Sequence, residues 1–162
     1  MKHCSFTGHR DIPKKHETAL IGLLRRGIQY VYDEGVRHFY IGGALGFDTL
    51  AAKEIVLFRF SHPDIMMHLV LPCLDQTDRW SDRQRDMYEY LLSEADTVEY
   101  VADGYYKGCM RDRNVRLVEQ CDCLIAYVGR TVGGAAQTKR LAERSGKPVY
   151  NLYYEADRAS ST

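Results

Sequence analysis

Short apolar runs alternate along this chain with longer stretches in which apolar residues recur every three or four positions. The runs Cys4–Thr7, Phe39–Ile41, Met66–Leu71, Thr97–Val101, Cys123–Val128 and Val149–Leu152 have strand length and lack strict alternation, the pattern of strands buried on both faces. Between them, Leu20, Leu24, Ile28 and Val31 predict an amphipathic helix ended by Gly35, although Gly22 and Gly27 weaken it. A second helix is expected from about Phe47 through Ile55 to Phe58. A third carries Trp80, Gln84, Met87, Tyr88 and Leu91, and a fourth Met110, Asn114, Leu117 and Cys121, each at helical steps. The fifth begins near Gly133–Gly134 and stops at Gly146, with Pro148 beyond. Strand followed by helix, repeated, calls for right-handed crossovers and a doubly wound, mostly parallel sheet with helices on both faces. One α/β domain over residues 1–154 is expected, with Glu155–Thr162 as a frayed tail.

Composition narrows the partners. The 162 residues are 45% hydrophobic, enough for one globular core without a disulfide or metal staple. Lys plus Arg and Asp plus Glu both total 22, which removes the basic excess of a generic nucleic-acid or anionic-membrane binder. Nucleic acid and membrane are therefore not the expected partners. Five cysteines, Cys4, Cys73, Cys109, Cys121 and Cys123, show no disulfide-framework spacing and suit free thiols in the cytoplasm. No apolar run reaches the length of a membrane span. Twelve tyrosines leave room for a homo-oligomer interface.

In an open parallel sheet, ligands collect beyond the carboxyl ends of the strands. The first strand is followed by Thr7-Gly8-His9-Arg10, where Arg10 could clamp a phosphate. The alternative is a glycine turn with solvated neighbours. The second is followed by Gly42-Gly43-Ala44-Leu45-Gly46-Phe47-Asp48, glycines leading into a helix whose free N–H groups and dipole can hold an anion. Its spacing is neither the dinucleotide fingerprint nor a P-loop. Asp48 reads as a helix N-cap or as a ligand to ribose hydroxyls. The fifth is followed by a second small-residue loop, Gly129 to Thr138 with Gly133 and Gly134 at its centre. Two such loops at strand ends predict two helix N-termini around one phosphate-holding cleft.

Other chemistries find less support. Cys121-Asp122-Cys123 has no second thiol pair and suits core packing, so no metal site is expected. No Gly-x-Ser-x-Gly elbow or His-Glu-x-x-His helix occurs. Arg111-Asp112-Arg113-Asn114 could edge the cleft or be solvated charge. Trp80 suits packing or the floor of a base pocket. Asp48 and Glu54 are the candidate carboxylates should a nucleotide or N-glycoside be cleaved.

Together, Phe6-Thr7-Gly8-His9-Arg10, the Gly42–Asp48 loop, Trp80 with Gln84 and Tyr88, Arg113-Asn114 and the Gly133–Thr138 loop resemble the YpsA-like branch of the SLOG superfamily. That superfamily includes DprA and the LOG phosphoribohydrolases. The resemblance implies a Rossmann-like fold that binds a nucleotide or a derivative such as ADP-ribose or NAD. It implies a pocket lined by Thr7, Gly8, His9, Arg10, Gly42, Gly43, Gly46, Asp48, Gly133, Gly134 and Thr138, edged by Arg113 and Asn114. LOG enzymes carry a Pro-Gly-Gly-x-Gly-Thr-x-x-Glu loop, whereas Leu141 stands three residues after Thr138 here. Glu143 lies two residues further, about 200° around the helix. A small-molecule sensing module without strong catalysis is expected, with nucleotide hydrolysis or DprA-like DNA association as alternatives.

Overall fold

The computed structural model describes residues 1–160. Six strands, β1 His3–Gly8, β2 His38–Ile41, β3 Met66–Cys73, β4 Thr97–Ala102, β5 Cys123–Tyr127 and β6 Val149–Asn151, form one sheet in the order β4-β3-β2-β1-β5-β6. Every pairing is parallel. The helices are α1 Glu17–Asp33, α2 Phe47–Ser61, α3 Asp82–Glu94, α4 Cys109–Gln120, α5 Gly134–Arg144 and α6 Tyr153–Ala159, with a 3₁₀ turn at Lys14–His16. The doubly wound α/β architecture is as the sequence pattern predicts.

Helices α1, α2, α3 and α6 cover one face, and α4 and α5 the other. The pleat divides β5 between them: Cys123, Ile125 and Tyr127 enter the larger core, Leu124 and Ala126 the smaller. The chain steps outward from β1 through β2 and β3 to β4, then crosses back to β5 beside β1. Strand order thus reverses at β1 and β5, and the loops after these strands flank a topological switch point, the usual place for a ligand in such a sheet.

Three expectations are corrected. Strands β4 and β6 lie at the sheet's two edges and are only partly buried, because each has a neighbour on one side alone. Helix α3 starts at Asp82, behind a Ser81 cap and a reciprocal Gln84 contact, which leaves Trp80 in the preceding loop. The supposed frayed tail, Glu155–Thr162, continues α6 from Tyr153 to Ala159, and its Ala156 is fully buried against the larger core; Ser161 and Thr162 lie outside the described residues. No described helix is long and apolar enough to cross a membrane.

Candidate functional site

The loop after β1 is fastened in two directions. A Cβ at Gly8 would stand 2.4 Å from the Phe47 ring, so glycine is what lets this loop reach the start of α2. The Phe47 amide donates to the His9 carbonyl at 3.1 Å. On the other side, the Gly129 amide donates to His9 Nε2 at 2.8 Å, joining the loop to the end of β5. Burial, and then the charge of Arg130, lower the His9 pKa, which keeps the ring neutral as an acceptor requires. His9 is therefore a strut between loops. Arg10, next along, is exposed.

The loop after β2 turns sharply into α2. Gly46, the N-cap, has φ +78°, and a Cβ there would lie 2.0 Å from the Arg10 carbonyl oxygen. No side chain caps this helix. Asp48 is its second residue rather than its N-cap, and its Oδ2 accepts from the Ala44 amide at 3.1 Å, folding back onto the loop. Thr49 Oγ1 donates to the Ala44 carbonyl at 3.0 Å and tightens the same turn. Asp48 is 6% exposed, and its Oδ1 has no hydrogen-bond partner. Burial pushes its carboxyl up to about 6, against the opposing pull of Arg113 and the Ala44 amide.

Arg113 reaches this loop from α4, on the opposite face of the sheet. It is 5% exposed and donates from Nη1 to the Gly42 carbonyl and from Nε to Asn114 Oδ1 at 2.8 Å. The charged run that could have been solvated thus contributes one buried guanidinium. A Cβ at Gly42 would stand 2.9 Å from Arg113 Nη1 and 3.0 Å from Asp48 Oδ2. Gly42 is the spacer that allows an acid and a guanidinium to approach the same backbone from two sides.

The loop after β5 is built differently. Gly133 caps α5 with φ +102°, again without a side-chain cap, and both Gly133 and Gly134 are exposed. Arg140 Nη1 donates to the Thr131 carbonyl at 2.7 Å. Thr138 is buried, and its hydroxyl donates to the Gly134 carbonyl at 2.7 Å, which makes it a helix-internal contact. Thr7 is buried within β1.

The two glycine loops do not share one cleft. A cleft of about 900 Å³ lies at the start of α2, between α1 and α3, and takes in Arg10, Leu45, Gly46 and Thr49 but not the α5 N-terminus. Asn114 and Thr138 line a separate groove of about 370 Å³ between α4 and α5. Arg113 joins α4 to the first loop through the Gly42 carbonyl and bonds its chain neighbour Asn114, whose Nδ2 would lie 3.4 Å from a Cβ on Gly134. The carboxylate Glu54 is also elsewhere: it is buried and bound by Arg25 Nε at 2.8 Å, a clasp between α2 and α1 with no place in the site. The sequence reading missed Lys53, Arg79 and Arg83, which line the larger cleft. Arg79 sits in the loop after β3 and Arg83 in the first turn of α3, so extending the strand-end rule to β3 would have found both.

The sheet order, the switch at β1 and β5, and helices opened by glycine define a Rossmann-like domain of the SLOG type. Within that class, the chain belongs to the YspA SLOG family, whose model matches residues 10–153. It is 30% identical over 138 residues to a UPF0398 protein of Halalkalibacterium halodurans, covering 77% of this chain and 71% of the relative. It is 25% identical to a UPF0398 protein of Bacillus velezensis, covering 99% of this chain and 96% of the relative. Its fold is similar to that of DNA processing protein A from Helicobacter pylori, with a TM-score of 0.65 at 21% identity, covering 91% of this chain and 63% of that one. The corresponding protein of Streptococcus pneumoniae gives 0.64 at 17% identity, covering 91% of this chain and 49% of that one. The structural-genomics target TM1055 gives 0.58 at 15% identity, covering 100% of this chain and 82% of that one. These structural likenesses show the fold alone.

Proposed function

We propose that this protein is a binding and sensing module for a nucleotide or nucleotide derivative, such as ADP-ribose or NAD, whose phosphate is held where α2 begins. One observation carries the reading. Helix α2 opens on glycine without a side-chain cap, directly onto the 900 Å³ cleft, where Arg10, Lys53, Arg79 and Arg83 outnumber the carboxylates Asp11, Glu17 and Asp86 and form no ion pair among the described residues. The Phe47 amide is taken by the His9 carbonyl, so the amides that follow it, the positive dipole end and the unpaired cations are what would hold a phosphate. Helix α3, by contrast, satisfies its own N-terminus through Ser81. Binding is favoured over turnover because Glu54 is committed to Arg25 and no nucleophile is paired with a base in the cleft.

A thermal-shift screen against AMP, ADP, ATP, ADP-ribose, NAD, GTP and cyclic nucleotides tests this. Ligand at a hundredfold excess over its dissociation constant stabilises by about 2.7 kcal/mol. The expected shift is lost in Arg10→Ala; no shift with any nucleotide overturns the proposal. The fold shared with the H. pylori protein, whose single-stranded DNA binding mode has been described, supports a second reading in which the same cations follow a DNA backbone. That reading requires retention of single-stranded DNA that falls steeply with salt. Absence of retention at low salt removes it.

A further inference from the structure

We propose that the cleft at the start of α2 is a nucleobase subsite with Trp80 as its stacking floor, which makes the ligand class nucleoside phosphates carrying an aromatic base. This rests on the reading of the α2 start as the phosphate site. Trp80 is the only tryptophan of the chain and lines the cleft from the loop between β3 and α3. Its position is fixed from behind. The indole meets Tyr88 edge to face, with centroids 5.3 Å apart and an interplanar angle of 88°. The Tyr88 hydroxyl accepts from Gln76 Nε2 at 3.1 Å, and the same Nε2 lies 3.4 Å from the Gly43 carbonyl. An aromatic surface is thus tied through two side chains to the backbone of the glycine loop.

The flanking residues suit the same ligand. Arg79 precedes Trp80 in the chain and Arg83 is the second residue of α3, so two guanidinium groups edge the cleft beside the indole. Arg10 and Gly46 line the cleft too, at the start of α2. A volume of about 900 Å³ lies within the range of small-molecule sites. An aromatic floor and a phosphate-suited helix start within one cleft match the two chemically distinct ends of a nucleotide. A bare sugar phosphate would leave the aromatic floor unused.

Because Trp80 is the sole tryptophan, protein fluorescence reports on it directly. The test titrates the full chain with AMP, GMP, CMP, UMP, ADP-ribose and, as the base-free control, ribose 5-phosphate. Fluorescence and thermal shift are read in parallel. At least one base-bearing ligand is expected to quench Trp80 saturably, whereas ribose 5-phosphate stabilises the protein without quenching. Trp80→Ala is expected to weaken the quenching ligand by about 5- to 150-fold, the range for one stacked base, and to leave ribose 5-phosphate affinity unchanged, which also verifies its fold. Trp80→Phe retains most of the affinity. If a nucleotide binds without quenching and Trp80→Ala keeps its affinity, or if every base-bearing ligand binds no better than ribose 5-phosphate, the subsite is overturned while the phosphate site stands. If neither the nucleotides nor ribose 5-phosphate bind, the phosphate site itself fails and the subsite with it.

Discussion

Helices α2 and α5 both begin on a glycine with positive φ and no side-chain cap, yet their surroundings are opposite. At α2, a Cβ on Gly46 would lie 2.0 Å from the Arg10 carbonyl, and Asp48 and Arg113 are buried against the same loop. At α5, a Cβ on Gly133 meets nothing within 4 Å, and one on Gly134 meets only Asn114 Nδ2 at 3.4 Å. The first loop is held by packing and buried charge; the second is exposed and tied by the bond from Arg140 to the Thr131 carbonyl. A glycine-opened helix is thus not one kind of site. The α2 start is preorganised, with its donors already oriented, whereas the α5 start can adjust.

The largest test of this difference is Gly46→Ala. The substitution adds left-handed backbone strain of roughly 1–2 kcal/mol to a collision with main chain that cannot move as a side-chain tip can, roughly 1–3 kcal/mol more. A loss of about 2–5 kcal/mol in urea unfolding is expected. A loss below about 1 kcal/mol would mean that the β1 and β2 loops are not locked together, and the comparison would collapse.

A second test uses the charge buried behind the α2 loop. The folded Asp48 carboxyl lies at about 6, above its ordinary 3.8, so folding favours its protonated form. The stability it contributes is therefore greatest at low pH and is lost as pH rises through about 6. Between pH 4 and pH 7, the stability of the wild type relative to Asp48→Asn should fall by about 2–3 kcal/mol. His9, His38 and His68, whose pKa values burial lowers, act in the opposite sense, losing stability as pH falls. They are present in both proteins and cancel in the difference. Arg113 is the charge that pulls the Asp48 carboxyl down, so Arg113→Met should raise the Asp48 midpoint in a carboxyl NMR titration. A flat wild-type-minus-variant difference across this range would show that Asp48 is not buried as described.

Which parts of this arrangement the sequence discloses follows from the kind of signal each leaves. Strands announce themselves as apolar runs, and all six lie where those runs fall, although the edge strands β4 and β6 are only partly buried. Helix α6 gives almost no signal, because its seven residues bury only Ala156. Arg113 reads as solvated charge within a polar run, but its register shows otherwise: Cys109, Arg113 and Leu117 stand four residues apart on one stripe, and all three are buried. The Gly42 carbonyl that receives it lies 71 residues away, a pairing that no local pattern carries. The shared cleft predicted from two glycine loops fails for a similar reason. Strand-end position places both helix starts near the switch point, but α2 and α5 pack on opposite faces of the sheet and each borders its own groove.

The smallest effect belongs to Gly133→Ala, which isolates what the open loop needs. Its φ of +102° strains any residue with a Cβ, but there is no neighbouring atom for that Cβ to strike. Only the backbone term remains, about 1–2 kcal/mol, and urea unfolding should register that amount and no more. The α5 loop can also relieve part of the strain by shifting, since both glycines there are exposed. If Gly133→Ala cost as much as Gly46→Ala, the α5 loop would have to be packed against something, and the distinction between a locked and an adjustable helix start would be lost. A loss near 1 kcal/mol, beside about 2–5 kcal/mol at Gly46, would place preorganisation at α2 alone, the end that opens onto the larger cleft.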